Sequence, residues 1–131
     1  MKNKELLFNL IRENNVEKVE QLLKNENADL STYNTAFMIA AYRNHFEIVK
    51  LILKYTNVDP SADDNIILRT VACKGYLEVV EILLKDKRVN PPRFTINLAA
   101  QNGHLEIVKL LLKDKRIDPT GSGGYYICVN I

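Results

Sequence analysis

The stretch NGHLEIVKLLLKDKRIDP, residues 102–119, is written almost letter for letter a second time as KGYLEVVEILLKDKRVNP at 74–91. A looser third copy, RNHFEIVKLILKYTNVDP, occupies 43–60. Internal repetition on this scale decides the fold, because it marks a chain assembled from one supersecondary unit used several times. Glu17, Glu47, Glu78 and Glu106 mark four registers, each followed two residues later by Val19, Val49, Val80 or Val108. Their separations are 30, 31 and 28 residues. The drift falls between Pro91 and Thr95, where a loop absorbs a length change cheaply.

Each register divides into two apolar segments with helical periodicity. In the last one Leu105, Val108, Leu111 and Leu112 form a stripe, with Glu106, Lys109 and Lys113 outside it. The segment before it is shorter and rich in small residues: TAFMIAAYRN (35–44), IILRTVACKG (66–75) and FTINLAAQNG (94–103). The joint between the two helices needs a left-handed residue, which Gly and, less readily, Asn adopt at low cost. The aligned positions hold Asn14, Asn44, Gly75 and Gly103. After the second segments come VDP (58–60), VNP (89–91) and IDP (117–119), where the residue before proline is driven out of the helix.

Bulk composition excludes several classes. The chain has 131 residues, 47% hydrophobic and 26% charged, with a net charge of +2. It is one domain's worth of chain, without the strong field that recruits nucleic acid or anionic lipid. No apolar run reaches membrane-spanning length, and MKNKELLFNLIRENN does not read as a signal peptide. Cys73 and Cys128 make no CxxC pair, so a reducing intracellular home without disulfides is expected.

Two antiparallel helices with a projecting turn, joined by letters such as LAAQNGHLEIVKLLL (98–112), IAAYRNHFEIVKLIL (39–53) and VACKGYLEVVEILL (71–84), resemble the ankyrin repeat. The resemblance spans about residues 5–119 and implies an all-α solenoid with no cofactor, no metal and no catalytic site. The expected divisions are a capping repeat at 1–34, repeats at 35–65, 66–94 and 95–120, and a partial repeat or cap at 121–131. Where the family opens its repeats with T-P-L-H, this chain has Thr35-Ala36-Phe37-Met38, Ile66-Ile67-Leu68-Arg69 and Phe94-Thr95-Ile96-Asn97. Its repeats are also shorter than the family's roughly 33 residues. Stubby turns without strand pairing are therefore expected. This short form, heavy in Asn, Lys and Ile, is similar to ankyrin arrays of large DNA viruses of amoebae.

An enzyme needs a convergent constellation of reactive groups, and none is present. His45 and His104 share the turn position with Tyr76, and the resemblance implies a structural hydrogen-bonding role for them. Ser31, Ser61 and Ser122 are read as turn residues without a nucleophile motif around them. The family's variable positions, carried over residue by residue, imply a protein-binding concave face. They are Tyr33, Asn34, Met38, Tyr42 and Arg43; then Asp63, Asp64, Asn65, Arg69, Cys73 and Lys74; then Arg93, Phe94, Asn97, Gln101 and Asn102. The implied function is binding of a protein partner, a host protein if the source is viral, in the cytoplasm, by a monomer or weak dimer. Two alternatives stand beside it. One is nucleic-acid binding along a stripe of Lys85, Lys87, Arg88, Lys113, Lys115 and Arg116. The other concerns YYICVNI (125–131), which either folds back over the flank of the helix at 105–113 or joins copies of the chain.

Overall fold

A computed structural model describes residues 3–117. It contains eight helices among them: α1 (Lys4–Arg12), α2 (Val16–Asn25), α3 (Leu30–Tyr42), α4 (Phe46–Tyr55), α5 (Ala62–Lys74), α6 (Leu77–Lys85), α7 (Phe94–Gln101) and α8 (Leu105–Leu112). No strand occurs among the described residues, in line with the stubby turns expected. Contacts group the chain into two compact units, Met1–Asp59 and Pro60–Ile131. In the first unit α1 packs on α2 and α3, while α4 packs on α2 and α3. In the second, α5 packs on α6 and α7, while α8 packs on α6 and α7. Each unit is thus two helical hairpins stacked side by side, the all-α repeat architecture that the sequence implies.

The four corners follow from their residues. Asn14, Asn44, Gly75 and Gly103 all have positive φ, at 56°, 59°, 80° and 74°. The next residue sends its N–H five residues back: Asn15 to Leu10 O, His45 to Ala40 O, Tyr76 to Val71 O, His104 to Ala99 O. That bond closes the first helix of each repeat in a Schellman turn and satisfies carbonyls the helix would leave orphaned. Two residues later the second helix starts with Glu17, Glu47, Glu78 or Glu106 in its first turn, where a carboxylate complements the helix dipole.

Small residues set the hairpin spacing. Ala40, Ala41, Ala72 and Ala99 are completely buried, so a neighbouring helix can approach closely. Around them lie Leu7, Ile11, Val19, Ile48, Val49 and Ile52 in the first unit, and Leu68, Val71, Val79, Val80, Leu83 and Leu111 in the second. Val58 and Val89, from the VDP and VNP stretches, are also buried and tether the loops to the core.

Three local features differ from the sequence expectation. The first helix of the second repeat begins at Leu30 rather than Thr35, because Asp29 caps it by accepting the N–H of Thr32 at 2.8 Å. Ser31 therefore lies in a helix, not a turn. The short register at 91–95 truncates the helix itself: α7 has 8 residues where α3 has 13. Pro91 and Pro92 keep the chain from extending that helix backwards.

Candidate functional site

In the first unit Asn34, Met38 and Arg43 are exposed and Tyr42 is half-buried. Asn34, Met38 and Tyr42 follow one another at four-residue steps and form one stripe along α3. Tyr33 is corrected: its ring is buried, and its hydroxyl accepts the N–H of Ala28 at 2.9 Å and donates to Glu26 O at 3.4 Å. It pins the loop between α2 and α3 instead of offering surface. Leu30 is exposed four residues before Asn34 and extends the same stripe. It goes unnoticed in sequence unless Asp29 is read as the helix cap.

In the second unit Asp63 and Asp64 are exposed at the head of α5. With Asn65 they hold left-handed backbone, φ 53°, 56° and 59°. Three such residues in a row are costly for non-glycine chains, at roughly 1–2 kcal/mol each, so something must hold them. Arg69 does: Nε donates to Asp64 O at 3.1 Å and Nη2 to Asp63 O at 3.3 Å. Its guanidinium lies 6.0 Å from the centroid of the Phe94 ring, a cation–π distance. Asn65 is a second correction, buried with Nδ2 donating to Asn90 O at 3.3 Å. Phe94 is a third, its ring buried beneath Arg69.

The rest of that surface is mixed. Arg93, Asn97 and Gln101 are exposed at four-residue steps. Asn102, exposed as well, turns its amide back to Leu98 O at 2.9 Å and closes α7. Lys74 is half-buried, with its ammonium 5.9 Å from the Tyr76 ring centroid. Cys73 is half-buried and disulfide-bonded, against the reduced state expected; Cys128 lies outside the described residues.

The turn histidine has a structural task. His104 Nε2 lies 2.9 Å from Cys73 O, and its ring sits against Gly75 so closely that a Cβ there would fall 2.5 Å from Cε1. It ties the corner of one repeat to the helix of the repeat before. His45 occupies the same capping position ahead of α4. Among the described residues no group of three or more His, Cys, Asp or Glu is placed to hold a metal ion.

The arginines of the basic stripe are engaged in the fold. Arg116 forms a fork with Asp114, Nε to Oδ1 at 2.9 Å and Nη2 to Oδ2 at 2.6 Å. Its Nη1 donates to Asp86 O at 3.1 Å and to Val89 O, while Nη2 donates to Leu84 O at 2.5 Å. Arg88 makes the corresponding fork with Asp86, at 3.0 and 2.8 Å. Hydrogen bonds from these arginines hold both carboxyls below the usual carboxylate range, against the opposing effect of partial burial. The sequence saw cations in a row; the structure turns two of them into staples. Sequence spacing alone gave no signal of Arg116's role, since its carbonyl partners lie about thirty residues away.

These repeats, corners and surfaces define a helical repeat protein with side chains displayed along its first helices. The profile of ankyrin repeats in three copies matches residues 7–94, and the single ankyrin repeat profile matches 96–121. The chain belongs to the ankyrin repeat family. No curated protein matches it. Ankyrin repeats generally mediate protein–protein interaction and are typically non-catalytic. Among the described residues, no helix is long and apolar enough to cross a membrane.

Proposed function

We propose that the chain is a non-catalytic protein-binding module that reads its partner through the exposed side chains of its first helices. One observation carries this reading. At three fixed places, ten, six and two residues before each corner, the letters are Asn34, Met38 and Tyr42 in one repeat. They are Arg93, Asn97 and Gln101 in another. The framework around them keeps the same Glu, Val and Leu positions. These six are exposed or half-buried, within reach of a partner, whereas before Gly75 the same places hold Asn65, which is buried, with Arg69 and Cys73 half-buried. Met, Tyr and Arg are also residue types enriched at protein interfaces. Each unit presents its own stripe, apolar on α3 with Leu30 and Met38, polar on α7.

The short Asn-, Lys- and Ile-rich repeats, similar to those of large DNA viruses of amoebae, support a host protein as that partner and an effector role. Nucleic acid is the weaker reading, because the forks on Asp86 and Asp114 occupy the two arginines of the stripe. YYICVNI, the segment of the self-association alternative, lies outside the described residues.

The test is capture of partner from host lysate, followed by titration of the recovered protein. Met38→Ala with Tyr42→Ala, or Asn97→Ala with Gln101→Ala, is expected to weaken binding at least tenfold, a loss of about 1.4 kcal/mol. Glu81→Ala, at an exposed position of the second helix α6, serves as the control and should bind as the wild type. Undiminished binding by both double variants would refute the proposal.

A further inference from the structure

Between α7 and the end of α8 the surface hollows into a cleft of about 350 Å³. Part of its lining is aliphatic, with Ile96 and Ile117 half-buried and Leu112 66% exposed. Three exposed cations stand beside these side chains: Arg93, Lys113 and Lys115. Among the described residues none of the three is paired with a carboxylate. The lining also carries one acid, Asp114, but the fold already answers its charge. Arg116 holds both of its oxygens, Nε donating to Oδ1 at 2.9 Å and Nη2 to Oδ2 at 2.6 Å. The backbone N–H of Arg116 adds a third bond to Oδ1 at 2.9 Å. The cleft therefore sets uncompensated positive charge beside apolar surface.

We propose that this cleft takes a linear acidic segment of a protein partner, one that seats a large apolar side chain on Ile96, Leu112 and Ile117 between flanking Asp or Glu residues. Charge complementarity carries the choice of partner: acids on the segment meet Arg93, Lys113 and Lys115, which steer and orient it. Its apolar side chain takes the wet surface of Leu112 out of water. The volume lies at the small end of ligand pockets, room for one or two side chains rather than for the face of a folded domain. Nucleic acid fits less well. Proteins that hold single strands stack the bases on aromatic rings, and none of the described lining residues is aromatic. The proposal rests on the partner-binding reading, because Arg93 and Asn97 belong both to the α7 stripe and to the cleft.

Selection of a random linear-peptide phage library on the immobilised full-length chain tests it, with the enriched peptides then synthesised and titrated by fluorescence anisotropy. Those peptides are expected to combine Asp or Glu with a large apolar residue and to bind more weakly as salt rises. Arg93→Glu with Lys113→Glu is expected to weaken them about tenfold, by setting like charges against them. Leu112→Ser should weaken them several-fold by removing apolar contact, with the circular dichroism unchanged because the side chain is so exposed. Lys18→Glu with Lys50→Glu makes the same change of net charge at exposed positions of α2 and α4, and should leave binding within about twofold. No enrichment, enrichment of basic or uncharged peptides, or acidic peptides indifferent to the cleft variants would each overturn the proposal. So would displacement of the peptides by an equimolar single-stranded oligonucleotide, which would assign the cleft to nucleic acid. Peptides that depend on Met38 and Tyr42 instead would sink the cleft and leave the partner-binding reading standing, which stands or falls on partner capture alone.

Discussion

Replacing Arg116 by alanine is expected to lower the unfolding free energy by about 3 kcal/mol in urea denaturation. The guanidinium supplies hydrogen bonds to Leu84 O, Asp86 O and Val89 O while a carboxylate fork locks its plane. Leu84 O belongs to the last turn of α6, whose carbonyls have no partner inside the helix. A hydrogen bond from a charged donor contributes roughly 1.5–3 kcal/mol, and these act as one unit, so the contributions do not add in full. Arg116→Lys should recover little, because an ammonium cannot reproduce a planar fork aimed at several acceptors at once. The acid response follows. Arg116 holds the Asp114 carboxyl below its ordinary value of 3.8, chiefly by hydrogen bonding. A depressed folded-state value means the contribution is complete above the unfolded value and is lost as pH falls through the folded one. Wild-type stability should therefore fall below about pH 4, and the fall should be shallower in Arg116→Ala. Arg88→Ala is expected to cost less, since its side chain is 48% exposed against 31% for Arg116.

Gly75→Ala is expected to cost about as much, roughly 3 kcal/mol, whereas Gly103→Ala should cost only about 1. Both glycines are left-handed, so either alanine meets the same backbone penalty. The difference is the histidine. A Cβ on Gly75 would lie 2.5, 2.6 and 2.9 Å from three atoms of the His104 ring, while one on Gly103 meets nothing within 4 Å. The ring must then leave, and its link to Cys73 O goes with it. Asn resolves the two contributions. Gly103→Asn should be nearly neutral, as Asn14 and Asn44 are at their own corners. Gly75→Asn should still be destabilised by the clash. His104→Ala placed on Gly75→Ala should relieve part of the damage, a coupling that denaturant melts of the four-variant cycle can measure.

What the sequence discloses here is what a repeat writes in the same place every time. The corners at 14, 44, 75 and 103 and the second helices are legible because their physical requirement recurs, a left-handed residue or a stripe of Val and Leu. The start of α3 is not, because a single capping residue, Asp29, sets it and no apolar periodicity extends that far back. The candidate surface is legible by register but not by depth. Register says which positions change between repeats; whether a ring turns inward is set by the groups it meets, the backbone of Glu26 and Ala28 for Tyr33 and the Arg69 guanidinium for Phe94. Asn65 turned inward for the same reason, drawn by the carbonyl of Asn90 in the following loop. The Arg116 staple was invisible for a different cause. KDKR reads as a run of cations until Asp114 fixes the rotamer and brings carbonyls of the preceding repeat within reach.

Backbone chemical shifts and HN–Hα couplings of the isotopically labelled full-length chain test the central claim most directly. That claim is a repeat built of two helices hinged at one left-handed residue. Helical shifts should stop at Arg12 and Tyr42, give way to left-handed backbone at Asn14 and Asn44, and resume at Val16 and Phe46, with matching breaks at Gly75 and Gly103. Unbroken helical shifts running from residue 4 to 25, or from 30 to 55, would contradict the account at its root.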